Sequence, residues 1–392
     1  MNFLKKQYKT ISIDILFLIP ITLFFYSIFF KYLPKIPYSK DFIHHAESVV
    51  MGNSYALTYV LIRSLTRMPN NFPDVLFTFK ILALFFSVII SYVGKVIIIS
   101  SINSPTRFIS KNAFSWFLSL IIMASLSPIG FDINNLNLVR IQMECPLFFN
   151  VFHNPTIVIT NLFVILSFVS MFGFKNGLIE NKNFFPTIFF IALQIFFKPA
   201  FITGFIGALI LFLILNFLID KNLKNFSFRF GIYLSVSILF LFLYIKFNSY
   251  QFKGGGTALA LEINLFRHLL DNSMIKDGKK LAWFLVSFSF PMIIFIQTYL
   301  NKRNTNFRIW LFFSTLCFVA FCQPLIFAEA GEKLFHNNFN WTSYSTYCFL
   351  APISIATAYN HFKQNSFIGK MPFLFYLLTF ISTIPWYINL MR

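Results

Sequence analysis

The chain has 392 residues, of which 57% are hydrophobic and only 11% are charged. A soluble globular domain carries about 25% charged residues, so this composition excludes an ordinary soluble fold. The net charge of +19 does not indicate nucleic-acid binding, because Lys and Arg lie mainly in short loops at the ends of apolar runs, where they set membrane orientation and meet anionic lipid.

Apolar runs of about 17–22 residues predict helices that cross a bilayer core of about 30 Å. The first run follows Lys5, Lys6 and Lys9 and is too long for a signal-peptide core, so it predicts an uncleaved span with a cytoplasmic N-terminus. The Lys198-Pro199 break predicts a helix pair that meets at the outer interface. The predicted spans, about eleven in number, are residues 11–33, 75–94, 113–128, 156–174, 184–197, 200–219, 230–247, 282–300, 309–327, 343–360 and 372–390.

The sequence thus predicts an all-α, polytopic membrane protein with short amphipathic helices in its outer loops, folded as a single integral membrane domain over residues 1–392. Lys and Arg are about twofold denser in the short loops assigned to the cytoplasm, as the positive-inside rule expects. Ten of the thirteen Asp and Glu residues and five of the six His residues fall in the long outer segments 34–74, 129–155, 248–281 and 328–342. This one-sided distribution indicates a functional site at the outer face.

The first outer loop contains Asp41, His44, His45 and Glu47. If this stretch is helical, spacings of three and four residues bring Asp41 near the two His residues, with Glu47 three residues beyond His44. A carboxylate placed there can accept the proton of an attacking hydroxyl group. Two alternatives stay open: a solvated loop with no catalytic role, and a divalent metal held by Asp41 and a His.

The same loop continues with apolar residues at helical spacing, which predicts an amphipathic segment along the outer interface. Arg63 and Arg67 lie within and after this pattern and are candidates for binding a phosphate group. The apolar residues of the pattern are Val49, Val50, Leu57, Val60, Leu61 and Leu65.

Two further candidate sites lie beside apolar spans. His153 and Asn154 end the second outer loop; Asn154 or Thr156 can cap the following helix, but His153 is not needed for a cap. Lys198 stands between apolar residues at the predicted helix break. Its ammonium group either reaches for the interface or binds a lipid phosphate.

The last outer loop combines Glu329, Lys333, His336, Asn338 and Trp341 within thirteen residues. Acid and amide groups bond sugar hydroxyls, and an indole face stacks on a sugar ring, so this composition favours sugar recognition. An interfacial tryptophan is the more frequent role of a residue such as Trp341.

No other motif indicates a cofactor. Gly254-Gly255-Gly256 lacks the Lys and Ser or Thr of a phosphate-binding loop, so no nucleotide site is predicted. The four Cys residues have neither metal-ligand spacing nor a disulfide pattern.

A first span followed at once by an outer loop with Asp and His, and then by further spans with polar outer loops, resembles the GT-C class of membrane glycosyltransferases. The segments His153-Asn-Pro-Thr, Phe197-Lys-Pro199 and Glu329-x-Gly331-x-Lys333 are similar to pieces of bacterial envelope proteins of this general design. The resemblance implies a polyprenyl-phosphate-linked sugar donor, a place in the bacterial inner membrane, and Asp41 as the base with Glu47 as its substitute. The O-antigen polymerase group is similar in plan as well.

The sequence therefore predicts a glycosyltransferase or glycan polymerase of surface polysaccharide. Its predicted partners are membrane lipid, a polyprenyl-linked sugar and envelope glycan-assembly proteins, without nucleic acid. Lys198, with Arg63 or Arg67, would hold the carrier phosphate. Two other functions stay open. A flippase or transporter of lipid-linked oligosaccharide should carry charged residues inside its spans, and a membrane O-acyltransferase would use His44 or His45 as its base.

Overall fold

The computed structural model describes most of the helices, several short strands and the turns beside them. At Asp41, Glu329 and Trp341 it describes the backbone and not the side chain. The described residues are 2–32, 39–52, 57–102, 110–124, 129–132, 137–140, 155–172, 174–175, 178–179, 184–219, 224–251, 261–263, 292–300, 307–329, 341–363 and 367–391.

Helices make up most of the described chain, as the sequence predicts. The first helix continues as a π-helical turn, Ser27–Tyr32, and residues 292–300 are also helical. The α-helices with both ends described are α1 Asn2–Tyr26, α2 Ser39–Val50, α3 Leu57–Leu65, α4 Phe72–Ser101, α5 Lys111–Ala124, α6 Pro155–Phe172, α7 Phe184–Phe197, α8 Ala200–Ile219, α9 Lys224–Gln251, α10 Phe307–Ile326, α11 Trp341–Lys363 and α12 Phe367–Met391.

The described residues also form three antiparallel pairs of short strands, which the predicted all-α fold does not include. The third pair joins two segments far apart in the chain, with Leu261 opposite Glu329. Strands of two to four residues are too short to show the alternating pattern from which strands are recognised. The pairs are β1 Ile129–Asp132 with β2 Asn137–Arg140, β3 Phe174–Lys175 with β4 Leu178–Ile179, and β5 Leu261–Ile263 with β6 Phe327–Glu329.

The chain divides into two compact units, and each is described by itself. Unit 1 comprises Met1–Leu126, Phe149–Lys182 and Cys348–Arg392, and unit 2 comprises Ser127–Phe148 and Asn183–Tyr347. This division does not test the predicted single membrane domain, which stays a prediction.

Helix α4 is the central element of unit 1, and α1, α2, α3, α5 and α6 all pack against it. Pro73 stands at its first turn, where no backbone N–H is needed, and Asp74 suits the positive end of the helix dipole. Further along, the Ser119 hydroxyl of α5 donates to the carbonyl of Ser91 at 2.8 Å. Gly94 allows this close approach, because a Cβ there would lie 3.2 Å from the Ser119 Oγ.

In unit 2, α8 and α10 pack as antiparallel neighbours. Thr203 near the start of α8 accepts a hydrogen bond from Gln323 near the end of α10, with 2.7 Å between the two side-chain atoms. Phe212, further along α8, meets Phe312 near the start of α10, with ring centroids 5.5 Å apart.

Within the described residues, four helical stretches are long and apolar enough to cross a membrane: Ile11–Tyr32, Phe72–Ser101, Phe201–Ile219 and Phe228–Lys246. Five shorter apolar helices of 10–17 residues accompany them. The chain is therefore a helical membrane protein, as its composition predicts.

Candidate functional site

Helices α2 and α3, together called the cap, follow the first membrane helix and pack on α4. The face of α2 with Phe42, Ala46 and Val49 is buried, and the Phe42 ring lies 5.8 Å from that of Phe29 in the π-helical turn. Spacings of four and three residues put these apolar side chains on one side of the helix. The predicted amphipathic helix is confirmed here.

The exposed side of α2 carries His44 and Glu47. The backbone places Asp41 within α2, one turn before His44 and His45, so the helical register predicted for these residues is confirmed. The side chain of Asp41 is outside the described part of the chain, and its role as base stays a prediction.

A left-handed glycine ends α2. Gly52 has φ of 88°, which favours glycine, and its N–H donates to the carbonyl of Val49 at 3.0 Å. A Cβ at Gly52 would lie 3.6 Å from a guanidinium nitrogen of Arg63, so this cation sits against the C-terminal end of α2. A positive charge is favourable at that end. The structure therefore shows Arg63 in contact with the end of α2, whereas Arg67 is exposed. The phosphate-binding role of both residues stays a prediction.

Helix α3 buries Thr58, Tyr59 and Ile62, while its apolar residues Leu57, Val60 and Leu65 are exposed. An exposed apolar stripe on a helix beside membrane spans suits the lipid interface, where the sequence predicts this segment to lie.

A hydrogen bond between His45 and Tyr59 joins the two cap helices. The Nδ1 of His45 lies 2.5 Å from the Tyr59 hydroxyl, and Tyr59 is only 1% exposed. The ring of Phe79 on α4 lies 6.5 Å from the half-buried His45 ring. The two neighbouring histidines therefore differ: His44 is exposed, whereas His45 is half-buried and hydrogen-bonded to Tyr59. Sequence reasoning missed Tyr59, because nothing local marks a partner fourteen residues away.

In unit 2, the predicted helix break at Lys198 is confirmed. The N–H of Lys198 still donates to the carbonyl of Gln194 at 3.0 Å, and the chain turns at Pro199 before α8 begins. The Lys198 side chain is half-buried. Its phosphate-binding role stays a prediction.

Three segments of unit 2 meet near this break. A Cβ built on Gly204 of α8 would overlap the Thr342 side chain and lie 2.7 Å from that of Gln323, so α8, the end of α10 and the start of α11 approach closely there. Trp341 directly precedes Thr342, and Glu329 lies in β6, which follows α10. The backbone therefore brings the positions of two predicted sugar-binding residues to the end of unit 2 where α8 begins.

Several predicted site residues lie outside the described part of the chain. Among the described side chains, no group of three His, Cys, Asp or Glu residues is placed to hold a metal ion. Because Asp41 is not in that set, a metal bound by Asp41 and a His stays a prediction. The predicted site residues that lie outside the described part of the chain are His153, Asn154, Lys333, His336 and Asn338.

Among the described residues, one pair of opposite charges lies inside the candidate spans of unit 1. The Nζ of Lys95 is 2.9 Å from Oδ1 of Asp14, and the two side chains are 5% and 15% exposed. The same Oδ1 accepts hydrogen bonds from Asn112 at 3.0 Å and from the indole of Trp116 at 2.8 Å. The ammonium also lies 5.4 Å from the ring centre of Tyr92 and 5.7 Å from that of Trp116.

The position of Lys95 corrects the predicted end of the second span. The sequence ends that span at residue 94 and assigns Lys95 to a cytoplasmic loop. In the structure α4 continues to Ser101, and Lys95 lies within it, buried and paired with Asp14.

No family model and no curated protein matches this chain. The class that the structure defines is a helical membrane protein with a folded helical cap after its first span. The likeness to the GT-C class therefore stays a prediction from the sequence.

Proposed function

We propose that this protein is a membrane glycosyltransferase, or a glycan polymerase of the same chemistry, that acts at the outer face of the bacterial inner membrane in surface-polysaccharide assembly. Its donor is a sugar linked to polyprenyl phosphate. The observation that carries the proposal is the cap, which is folded on α4 and presents His44 and Glu47 on its exposed side, with Asp41 in the same helix.

The proposed topology has about eleven spans with a cytoplasmic N-terminus. Contacts within each unit support this topology, because they join chain segments that it assigns to the same side of the membrane. In unit 1, the Asn360 side chain donates to the Ser101 carbonyl at 2.8 Å, and both residues lie at predicted inner ends. In unit 2, the β5–β6 pair joins two predicted outer segments.

In the proposed reaction, an acceptor hydroxyl attacks the anomeric carbon of the donor sugar. Asp41, or Glu47 in its place, takes the hydroxyl proton while the new carbon–oxygen bond forms. The bond between the anomeric carbon and the phosphate oxygen breaks, and polyprenyl phosphate leaves as an anion. A cation next to the cap, such as the exposed Arg67 just after α3, stabilises the charge on this leaving group.

The paired charges inside unit 1 support surface chemistry over transport. A transporter needs charged groups that face a water-filled path. Lys95 and Asp14 instead neutralise each other within a shell of hydrogen bonds and rings.

A strain that lacks the gene tests the proposal. It should accumulate a lipid-linked sugar intermediate whose sugar faces the outer side of the membrane. Complementation with Asp41→Asn or Glu47→Gln at normal protein level should leave glycan formation reduced about 100-fold for at least one of them. Asp74→Asn, an acid in the first turn of α4 and outside the cap, is the matched control and should complement fully.

Two results contradict the proposal. Full glycan assembly by both cap variants would mean that neither Asp41 nor Glu47 acts as the base. Accumulation of the intermediate with its sugar on the cytoplasmic side would identify a flippase instead.

A further inference from the structure

Helix α4 carries two lysines inside its apolar span, and they differ in their partners. Lys95 is paired with Asp14, whereas no described residue forms an ion pair or a hydrogen bond with the Lys80 side chain. A cation inside a membrane span is costly and marks a functional site by default. We propose that Lys80 binds the phosphate group of a lipid at the junction between the first span and α4.

The length of α4 puts Lys80 near the lipid head groups. At about 1.5 Å per residue, its 30 residues measure about 45 Å, which is about 15 Å more than a bilayer core. With the core centred on the helix, Lys80 lies about 5 Å inside the boundary at the N-terminal end of α4. Side chains on a helix lean toward its N-terminus, and the lysine stem is long enough to cover this distance. The ammonium therefore reaches the depth of the lipid phosphates.

The π-helical turn Ser27–Tyr32 forms the other side of the junction. The ring centre of Phe30 is 5.8 Å from the Lys80 Nζ and 5.7 Å from the ring centre of Phe77, one turn earlier on α4. The ring of Tyr26 stacks on Phe30 at 4.8 Å, and both Tyr26 and Phe77 are more than half exposed. The partly exposed Lys80 therefore lies beside rings that face the lipid. π-Helical turns are rare and are frequent at functional sites.

An anionic lipid matches both the charge and the rings of this junction. The Phe30 ring attracts the ammonium through its quadrupole but leaves the positive charge uncompensated. A lysine ammonium has three N–H donors, and a charge-assisted hydrogen bond to a phosphate oxygen both satisfies a donor and neutralises the charge. The exposed rings of Tyr26 and Phe77 then contact the apolar chain of the same lipid.

Two lipids offer this chemistry. One is an anionic phospholipid of the surrounding bilayer, and the other is a polyprenyl phosphate. The second source rests on the proposed function, whereas the phosphate site at Lys80 does not.

Native mass spectrometry of the full-length protein, titrated with dioleoylphosphatidylglycerol in detergent micelles, measures the binding. Lys80→Gln should weaken it about tenfold, while Lys80→Arg, which keeps the charge and the donors, should stay within about threefold of the unmodified protein. Lys31→Gln is the matched control, because Lys31 is an exposed lysine of the same π-helical turn, and it should bind normally. Unchanged binding in Lys80→Gln, or equal weakening in Lys31→Gln, overturns the proposal.

A second measurement separates a ligand-binding lysine from one that is paired within the protein. Unfolding by SDS in lipid-free micelles should occur at nearly the same midpoint in Lys80→Gln and in the unmodified protein, because the substitution breaks no internal ion pair. Added phosphatidylglycerol should raise the midpoint of the unmodified protein and not that of Lys80→Gln, since only a bound ligand stabilises the fold. A clear loss of stability in lipid-free Lys80→Gln contradicts the site.

The source of the phosphate is tested by competition against bound phosphatidylglycerol. Inorganic phosphate at about hundredfold higher concentration should not displace it, and displacement overturns the assignment to a lipid. Both lipid sources uphold the site: displacement by about tenfold less polyprenyl phosphate identifies the sugar carrier as the ligand, and a need for about tenfold more identifies a bilayer phospholipid. If the gene-deletion experiment fails while Lys80→Gln still loses lipid, the proposed function is wrong and the lipid site stands.

Discussion

Breaking the buried pair of Asp14 and Lys95 by removing one partner should destabilise unit 1 more than removing both partners together. Asp14→Leu leaves a buried ammonium without its anion and also deprives Asn112 and Trp116 of their common acceptor. Removing one partner of a buried ion pair costs about 3–5 kcal/mol, and losing the two hydrogen bonds to the carboxylate puts this variant at the upper end of that range. The expected loss is therefore about 5 kcal/mol.

Lys95→Met should be less severe. The Asp14 carboxylate keeps the N–H donors of Asn112 and Trp116, so the expected loss is about 3 kcal/mol. The double variant contains two apolar side chains of similar size and no buried charge. Its expected loss is about 2 kcal/mol, less than that of either single variant, because an apolar replacement of a buried ion pair is close to neutral.

The assay is equilibrium unfolding of the purified protein in mixed micelles, titrated with SDS and followed by far-ultraviolet circular dichroism. Lys31→Met is the matched control, since Lys31 is exposed beside the ring of Tyr32 and should contribute less than about 1 kcal/mol. Additive losses in the double variant would refute the reasoning, because they would mean that the two charges do not depend on each other.

Three further predictions concern the same unfolding assay. Gly204→Ala should lower the free energy of unfolding by about 2–3 kcal/mol, because the new Cβ would overlap Thr342. Gly231→Ala is the control: nothing lies within 4 Å of its Cβ, so it should be neutral or gain up to about 1 kcal/mol. Equal effects of the two substitutions would contradict the close approach at Gly204. Gly52→Ala should lose about 1 kcal/mol from the strain of its positive φ, and no loss would mean that α2 ends differently. Trp116→Phe keeps an aromatic ring but removes the 2.8 Å bond to the carboxylate, so a loss of about 1–2 kcal/mol is expected, and an unchanged midpoint would argue against that bond.

Local signals predicted the elements of the candidate site. The spacing of Asp41, His44 and His45 predicted a helix, and the structure has one at Ser39–Val50. The proline after Lys198 predicted the break between α7 and α8, because proline lacks the N–H that a continuing helix needs. Both features depend on residues within one or two turns of each other.

Contacts between distant residues could not be predicted in the same way. Tyr59 stands in a segment that was interpreted by its apolar residues, yet Leu57 and Val60 are exposed and Tyr59 is buried. In a membrane protein the more apolar face can point to lipid, so hydrophobic spacing reveals a helix without telling which side packs inward. The bond from Tyr59 to His45 depends on that inward side.

Charge gave a misleading signal at Lys95 for a related reason. A lysine at the end of an apolar run normally reaches water, and its partner Asp14 is 81 positions away in the chain. The predicted topology puts both residues at the same side of the membrane, but only the packing of α1 against α4 shows that they meet.

The pair also determines how this part of the protein behaves in an electric field. A unit charge carried across the whole membrane changes in energy by about 2.3 kcal/mol for every 100 mV of potential. Lys95 and Asp14 have opposite charges only 2.9 Å apart, so the forces of the field on them nearly cancel. The buried lysine can therefore hold α1, α4 and α5 together without making them sensitive to voltage.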